Sequence, residues 1–366
     1  MFSLAFGNLA RERTRLAISV GGVAFAVTLI VLIRGLFVAY QSRVADYFDG
    51  VDTDLWVMQS GTADFFHSIS LLPRDLRADL EVTAGVAETQ PYVARLVALD
   101  IGDSDTVLYL VGYEPTNPVT GPRNIAAGTD QIGPDEIVID KVFATQHGIE
   151  LGDILTLEGT PLTVAGISTG GDLVMFQYAF ARLATARTIL GFEAIDNAVL
   201  VTLETGADDD EFVATIDSDL LVRTPGEVVA VNQRVINDGF LPVIEVLLAL
   251  GFIVGIAVVG LTIYSSVIER RREYGVLKAL GARPRHLLAV ITSQSLLAAG
   301  LGYVLGIAIS FAARWASERW VPQFITDLRT SDLAWIAVAT AVMAIAAATF
   351  PLIRVAHIDP AEVFRS

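Results

Sequence analysis

The chain has 366 residues, 53% of them hydrophobic, a mean hydropathy of +0.56, no cysteine and a net charge of −16. Such apolar content excludes an ordinary soluble protein and calls for several membrane spans, while the acid excess argues against a nucleic-acid partner, whose phosphates would be repelled. Without cysteine there are no disulfides, and a large domain does not need them.

In chain order, residues 1–15 are a short N-terminal segment with Arg11, Arg13 and Arg15, followed by an apolar run over 16–40. That run exceeds the roughly 7–15 residues of a signal-peptide core and reads as a retained first span. Residues 41–239 are too many for a loop and predict a folded domain outside the membrane. This segment carries 32 Asp and Glu against 10 Lys and Arg, a net of −22, while the rest of the chain carries +6.

Within that domain, strands are expected over 54–59, 92–99, 106–112, 136–139, 154–157, 162–167 and 198–203, and helices over 73–81, 141–147, 181–190 and 208–221. The pattern is α+β. In Pro134 to Ser168, Gly148 is placed to end a short helix in a left-handed conformation, and a hairpin turns at Glu158 to Thr160. No catalytic constellation appears. His67 and His147 lack metal-ligand spacing, and His147 sits where a helix C-terminus favours it. The acidic run Asp208, Asp209, Asp210, Glu211 reads as a helix N-terminus rather than a metal site.

Further spans follow at 240–267, 287–313 and 333–352, separated by 268–286 and a short external loop over 314–332, with a tail over 353–366. The fold class expected is therefore an α-helical membrane protein with four transmembrane helices and a large α+β extracytoplasmic domain inserted between helices 1 and 2. Gly251 and Gly255, and Gly302 and Gly306, have GxxxG spacing suited to close helix approach, either within the chain or in a dimer. Arg34 and Glu245 lie at similar depths near the outer ends of their spans, where they either form an intramembrane ion pair or reach separately to the headgroups. Ser293, Gln294 and Ser295 suit interhelical hydrogen bonds.

The segment from Ile268 to Leu288 carries Arg270, Arg271, Arg272, Lys278, Arg283 and Arg285 against Glu269 and Glu273. Basic loops beside spans stay in the cytoplasm, and the arginines before the first span and Arg354 after the fourth fall on the same side, so both termini are cytoplasmic. From the residues alone, this segment is either such an anchor or an amphipathic helix. In the second case Val276, Leu277 and Leu280 face a partner groove, Glu269, Arg270, Arg271, Glu273 and Lys278 supply rim charges, and Gly281 ends the helix before Pro284.

The run from Ser266 to Ala282, SVIERRREYGVLKALGA, resembles the signature of the FtsX-like, or MacB-type, permease family of ABC transporters. The tail from Ile358 to Arg365, IDPAEVFR, and the Pro134 to Ser168 segment are similar to the family's closing motif and extracytoplasmic core. The length and the Asp52 to Val57 segment are most similar to stand-alone permeases of the DevC and haem-exporter HrtB types. The resemblance implies a non-catalytic subunit in a prokaryotic cell membrane, paired with a second copy or a related permease. No GxxxxGK[ST] phosphate loop occurs, so ATP and Mg are expected on a separate ATPase subunit. On this resemblance residues 268–286 are the coupling helix, and ATP-driven motion passes to the external domains to export or extract an amphipathic substrate such as a lipid, haem, peptide or drug. Membrane lipids and an envelope adaptor are further expected partners. The rival expectation is a mechanical scaffold that activates an external partner such as a cell-wall hydrolase.

Overall fold

The computed structural model describes residues 13–65, 68–101, 104–171, 176–269, 284–320 and 326–356. In chain order the elements begin with α1 (Arg13–Phe48), β1 (Leu55–Gln59), β2 (Leu72–Pro73), α2 (Leu76–Glu81), β3 (Val86–Ile101), β4 (Ser104–Tyr113), β5 (Asn124–Gly128) and β6 (Glu136–Asp140). They continue through α3 (Lys141–His147), β7 (Ile154–Leu157), β8 (Thr160–Thr169), β9 (Gln177–Arg182), α4 (Leu183–Leu190), β10 (Ile195–Asp196), β11 (Ala198–Leu203), α5 (Asp209–Thr215) and β12 (Leu220–Arg223). Three long helices close the order: α6 (Pro225–Glu269), α7 (Pro284–Trp320) and α8 (Thr330–Ala356).

The four long helices contain stretches long and apolar enough to cross a bilayer, over Leu16–Phe48, Leu241–Glu269, Ile291–Ser317 and Thr330–Thr349. Helices suit that medium because each satisfies its own backbone hydrogen bonds without water. The chain divides into a membrane unit, drawn from 1–38, 241–320 and 324–366, and an extramembrane unit centred on 39–240. The membrane unit is built around a buried cluster that includes Val23, Val27, Val31, Val259, Ile263, Ile291, Ile336, Met343 and Ala347.

The extramembrane unit is α+β and lies in sequence between the first span and the other three. Its main sheet has the order β12-β1-β11-β3-β4-β9-β6-β8-β5, with β7 also paired to β8. Two separate cores lie along this sheet. Lobe one packs Leu55, Val57, Val199 and Val201 against Leu80 of α2 and Phe212 of α5. Lobe two packs Leu108, Leu110, Ile137 and Ile139 against Phe143 of α3 and Ala186 of α4. Strand β3 serves both: from Val86 to Tyr92 it pairs with β11, and from Val93 to Ile101 with β4.

Local chemistry explains much of this. Asp140 caps α3 by accepting from Val142 N at 2.7 Å, and Gly148 ends it with φ of 65°. The β7–β8 hairpin turns through Glu158 and Gly159 with φ of 46° and 81°, the positive-φ pair of a type I′ turn. The helix expected over 208–221 is shorter. It stops at Thr215 because Asp217 Oδ1 accepts from Asp219 N at 3.2 Å, and the turn so formed feeds β12. The helix expected over 181–190 starts two residues late, since Gln177 to Arg182 is claimed by parallel pairing with β4.

Candidate functional site

Most of the basic segment lies outside the described residues: Arg270, Arg271, Glu273, Val276, Leu277, Lys278, Leu280 and Gly281 all fall within 270–283. Its flanks are described. Helix α6 delivers the chain at Glu269, which is exposed, and α7 resumes at Pro284, whose fixed φ suits the first position of a helix.

In the membrane unit the glycines of α7 lie against α1. A methyl group added at Gly306 would sit 2.8 Å from both Ala24 O and Val27 Cβ, and one at Gly302 would sit 2.5 Å from Val23 Cβ. Thr28 Oγ1 donates to Gly306 O at 3.1 Å across the same approach. On α6, Gly255 faces Ala26 and Met343, while Gly251 is more loosely placed, its nearest neighbour Leu29 at 3.5 Å. Both glycine pairs thus serve contacts inside one chain. Ser295 Oγ donates to Ala344 O at 2.6 Å, joining α7 to α8.

Arg34 is paired, but not with Glu245. Its Nε donates to Asp332 Oδ1 at 3.2 Å, and its guanidinium lies 5.6 Å from the Phe37 ring centroid. Asp327 N donates to Gly35 O at 3.0 Å, which folds residues 326–332 over α1 and brings the first turn of α8 to Arg34. Asp332 there also meets the positive end of the helix dipole. Glu245 is exposed on α6 beside Val243, Val246 and Leu247, and has no ion-pair partner among the described residues.

The extramembrane unit receives the end of α1 in a buried aromatic seam. Tyr47 stacks on Tyr178 of lobe two at 4.3 Å, whereas Phe48 packs on Trp56 at 5.8 Å and Phe65 at 5.5 Å, on the lobe-one side. Tyr92 closes on Trp56 at 5.1 Å and Tyr109 on Tyr178 at 5.3 Å. Burial pushes the phenols of Tyr92, Tyr109 and Tyr178 well above the ordinary tyrosine range, so the seam is uncharged. Tyr47 OH donates to Thr120 O and Arg123 Nη2 donates to Tyr47 O, each at 3.2 Å, the latter placing a cation at the negative end of α1. Gln41 Nε2 donates to Asn237 Oδ1 at 2.5 Å and Gln233 Nε2 to Gln41 O at 3.1 Å, clasping the outer stretches of α1 and α6.

A buried ion pair joins the lobes. Arg187 of α4 donates to Asp196 Oδ1, and Asp196 belongs to β10, which pairs with β2 of lobe one. Burial pushes the Asp196 carboxyl up, and the Arg187 guanidinium pulls it back down. His147 packs against Phe143 with ring centroids 4.7 Å apart and planes tilted by 49°, Asp208 caps α5 by accepting from Asp210 N at 3.0 Å, and His67 lies outside the described residues. Among the described residues no cluster of His, Cys, Asp and Glu is arranged to hold a metal.

Residues 16–219 match the family model of the MacB-like periplasmic core domain, and residues 245–360 that of the FtsX-like permease C-terminal region. The chain belongs to the FtsX-like, MacB-type family of ABC transporter permeases. An uncharacterized ABC transporter permease of Mycobacterium tuberculosis is 25% identical to this permease over all of this chain and 99% of its own length. The lipoprotein-releasing system transmembrane protein LolC of Xylella fastidiosa is 21% identical over 95% of this chain and 92% of its own. Among solved structures, the periplasmic region of MacB from Actinobacillus actinomycetemcomitans aligns at 13% identity and a TM-score of 0.38, covering 48% of the permease and 91% of that region.

The residues that sequence reasoning missed are Asp332 and the seam. Asp332 was legible in principle: it precedes the last apolar run, at the same outer level as Arg34. The seam had only a faint signal, Tyr178 and Phe180 at alternate positions of an unrecognised strand.

Proposed function

We propose that the permease is the transmembrane subunit of an exporter in a prokaryotic cell membrane, with both termini cytoplasmic and the α+β unit outside. Two copies, or one with a related permease, assemble with two separate ATPase subunits that bind ATP and Mg. The chain itself carries out no covalent chemistry. Residues 268–286 seat on the ATPase through Val276, Leu277 and Leu280, with Glu269, Arg270, Arg271, Glu273 and Lys278 around them.

The observation that carries this reading is the course of α1. It is a continuous helix from Arg13 to Phe48, and its last residues are buried in the aromatic seam. On this reading, ATP-driven motion at the inner end of α1 would be passed along the helix to the seam. The seam touches both lobes, and the stroke would change their relation instead of opening a wide tunnel. The kinship with a lipoprotein-releasing system protein supports an amphipathic substrate, of which lipid, lipopeptide, haem and apolar drugs are the candidates. An envelope adaptor is a natural further partner.

The test is ATP hydrolysis by the permease and its ATPase subunit, co-purified in lipid nanodiscs, with Glu273→Ala and Lys278→Ala as variants. Ligand-stimulated hydrolysis that either variant uncouples supports the exporter. Hydrolysis indifferent to every haem, lipid and drug tried assigns the stroke to a mechanical scaffold that activates an external partner. Failure to bind any ATPase subunit overturns the coupling role of 268–286.

A further inference from the structure

The two lobes of the extramembrane unit enclose a cleft of about 620 Å³ on the side of β3 where pairing passes from β11 to β4. That volume is typical of a small-molecule site. Its lining includes Arg74 and Arg77 around the start of α2, Arg187 of α4 and Thr89 of β3.

Two of these side chains are buried with unused hydrogen-bonding capacity. Arg187 is 7% exposed and Thr89 is 5% exposed. Among the described residues, neither Arg187 Nε nor Thr89 Oγ1 has a hydrogen-bond partner. A buried donor without an acceptor is costly, and a ligand that supplies the acceptor recovers that loss.

The charges in the cleft are unequal in availability. Glu88 Oε1 already accepts from Gln90 Nε2 and Asn117 Nδ2, each at 2.9 Å, and Glu114 lies 3.9 Å from Arg182. Asp196 is taken by Arg187. Arg74 and Arg77 form no ion pair within 4 Å among the described residues, although both lie near enough to Asp196 to pull its carboxyl down, and Glu193 is the remaining acid of the lining. Three arginines line the cleft, each with several N–H donors, and guanidinium groups suit the planar, bidentate recognition of a carboxylate or phosphate.

The geometry points to an oxyanion-binding site in this cleft, taking a carboxylate- or phosphate-bearing small molecule or headgroup between Arg74, Arg77 and Thr89 on one lobe and Arg187 on the other. Its occupant would tie the lobes together across the strand they share. The site is independent of the ATPase, so it is testable without nucleotide.

The full chain in phosphatidylcholine nanodiscs would be titrated calorimetrically, at fixed ionic strength, with inorganic phosphate, citrate and dihexanoyl phosphatidic acid. Wild type is expected to bind at least one probe saturably. Arg74→Gln/Arg77→Gln, which alters only the rim, is expected to weaken that binding about tenfold or more, and Arg223→Gln, outside the cleft, to leave it unchanged. Thr89→Val is expected to weaken it by a smaller factor. Binding of phosphatidic acid alone assigns a lipid headgroup, and binding of phosphate or citrate assigns a soluble anion. No saturable binding of any probe, or binding that survives unchanged in the double arginine variant, overturns the site.

Discussion

Replacing Phe48 with alanine tests whether the end of α1 is held by the aromatic seam. The ring is fully buried, in contact with Tyr47 at 5.3 Å, Phe65 at 5.5 Å and Trp56 at 5.8 Å. Truncating a buried phenylalanine costs about 3–5 kcal/mol, and the upper half applies where the walls cannot collapse. Here Trp56 is pinned in β1 between β11 and β12, so relaxation is limited. About 4 kcal/mol is therefore expected, of which roughly 1 kcal/mol reflects the lost ring geometry. Phe25 of the same helix is 62% exposed, and Phe25→Ala should stay within about 0.5 kcal/mol. The readout is Trp56 fluorescence during urea unfolding of the full chain in nanodiscs, with the three other tryptophans, Trp315, Trp320 and Trp335, replaced by phenylalanine. A Phe48→Ala loss below about 1 kcal/mol, or one no larger than that of Phe25→Ala, would refute the reasoning.

Gly306→Ala should destabilise the membrane unit by about 1–3 kcal/mol through its clash with Ala24 and Val27, whereas Gly300→Ala on the same helix, with nothing within 4 Å, should be neutral or slightly stabilising; unfolding in bicelles compares them, and equal effects would contradict the packing described. Arg34→Gln strands an Asp332 side chain that is only 11% exposed and should cost about 1–3 kcal/mol, below a fully buried pair because Arg34 is 34% exposed. Adding Asp332→Asn should recover most of that, while Glu245→Ala should be silent; an additive cycle would sink the pair. Burial lowers the pKa of His147, so the folded state resists its protonation: stability is full above about pH 6.5 and declines as pH falls through that value. The melting temperature of His147→Gln should accordingly fall less than that of wild type between about pH 7.5 and pH 5.5, and parallel curves would show the histidine to be unperturbed.

Elements governed by local chemistry were legible from residues alone. The apolar runs sufficed for the four long helices, since length and hydropathy decide a span. The end of the short helix and the hairpin turn followed from Gly148 and the Glu158 to Thr160 segment, each acting through its own backbone. What escaped depends on distant pairing. Leu220 to Arg223 is a strand only because β1 offers an edge, and Gln177 to Arg182 only because β4 does. The same limit explains the ion pair: Arg34 and Glu245 share a depth, but the fold of 326–332 over Gly35 selects Asp332. The Arg187–Asp196 pair spans only nine positions, yet it acquires meaning only once α4 and β10 are seen to belong to different lobes.

Strand β3 has a consequence for biosynthesis. Lobe two is contiguous, its core running from Val93 to Phe192, whereas lobe one needs Leu55 to Val86 together with Val199 to Phe212. As the chain emerges, lobe two can close on itself while β1 and the first half of β3 still wait for β11 and β12 to be made. During that interval a nascent chain presents an unpaired, apolar sheet edge, the kind that recruits chaperones or sticks to a neighbour. Interruptions of synthesis or translocation between Phe192 and Val199 are then the most hazardous for this protein, and the rate at which Ala198–Leu203 arrives sets how long that hazard lasts.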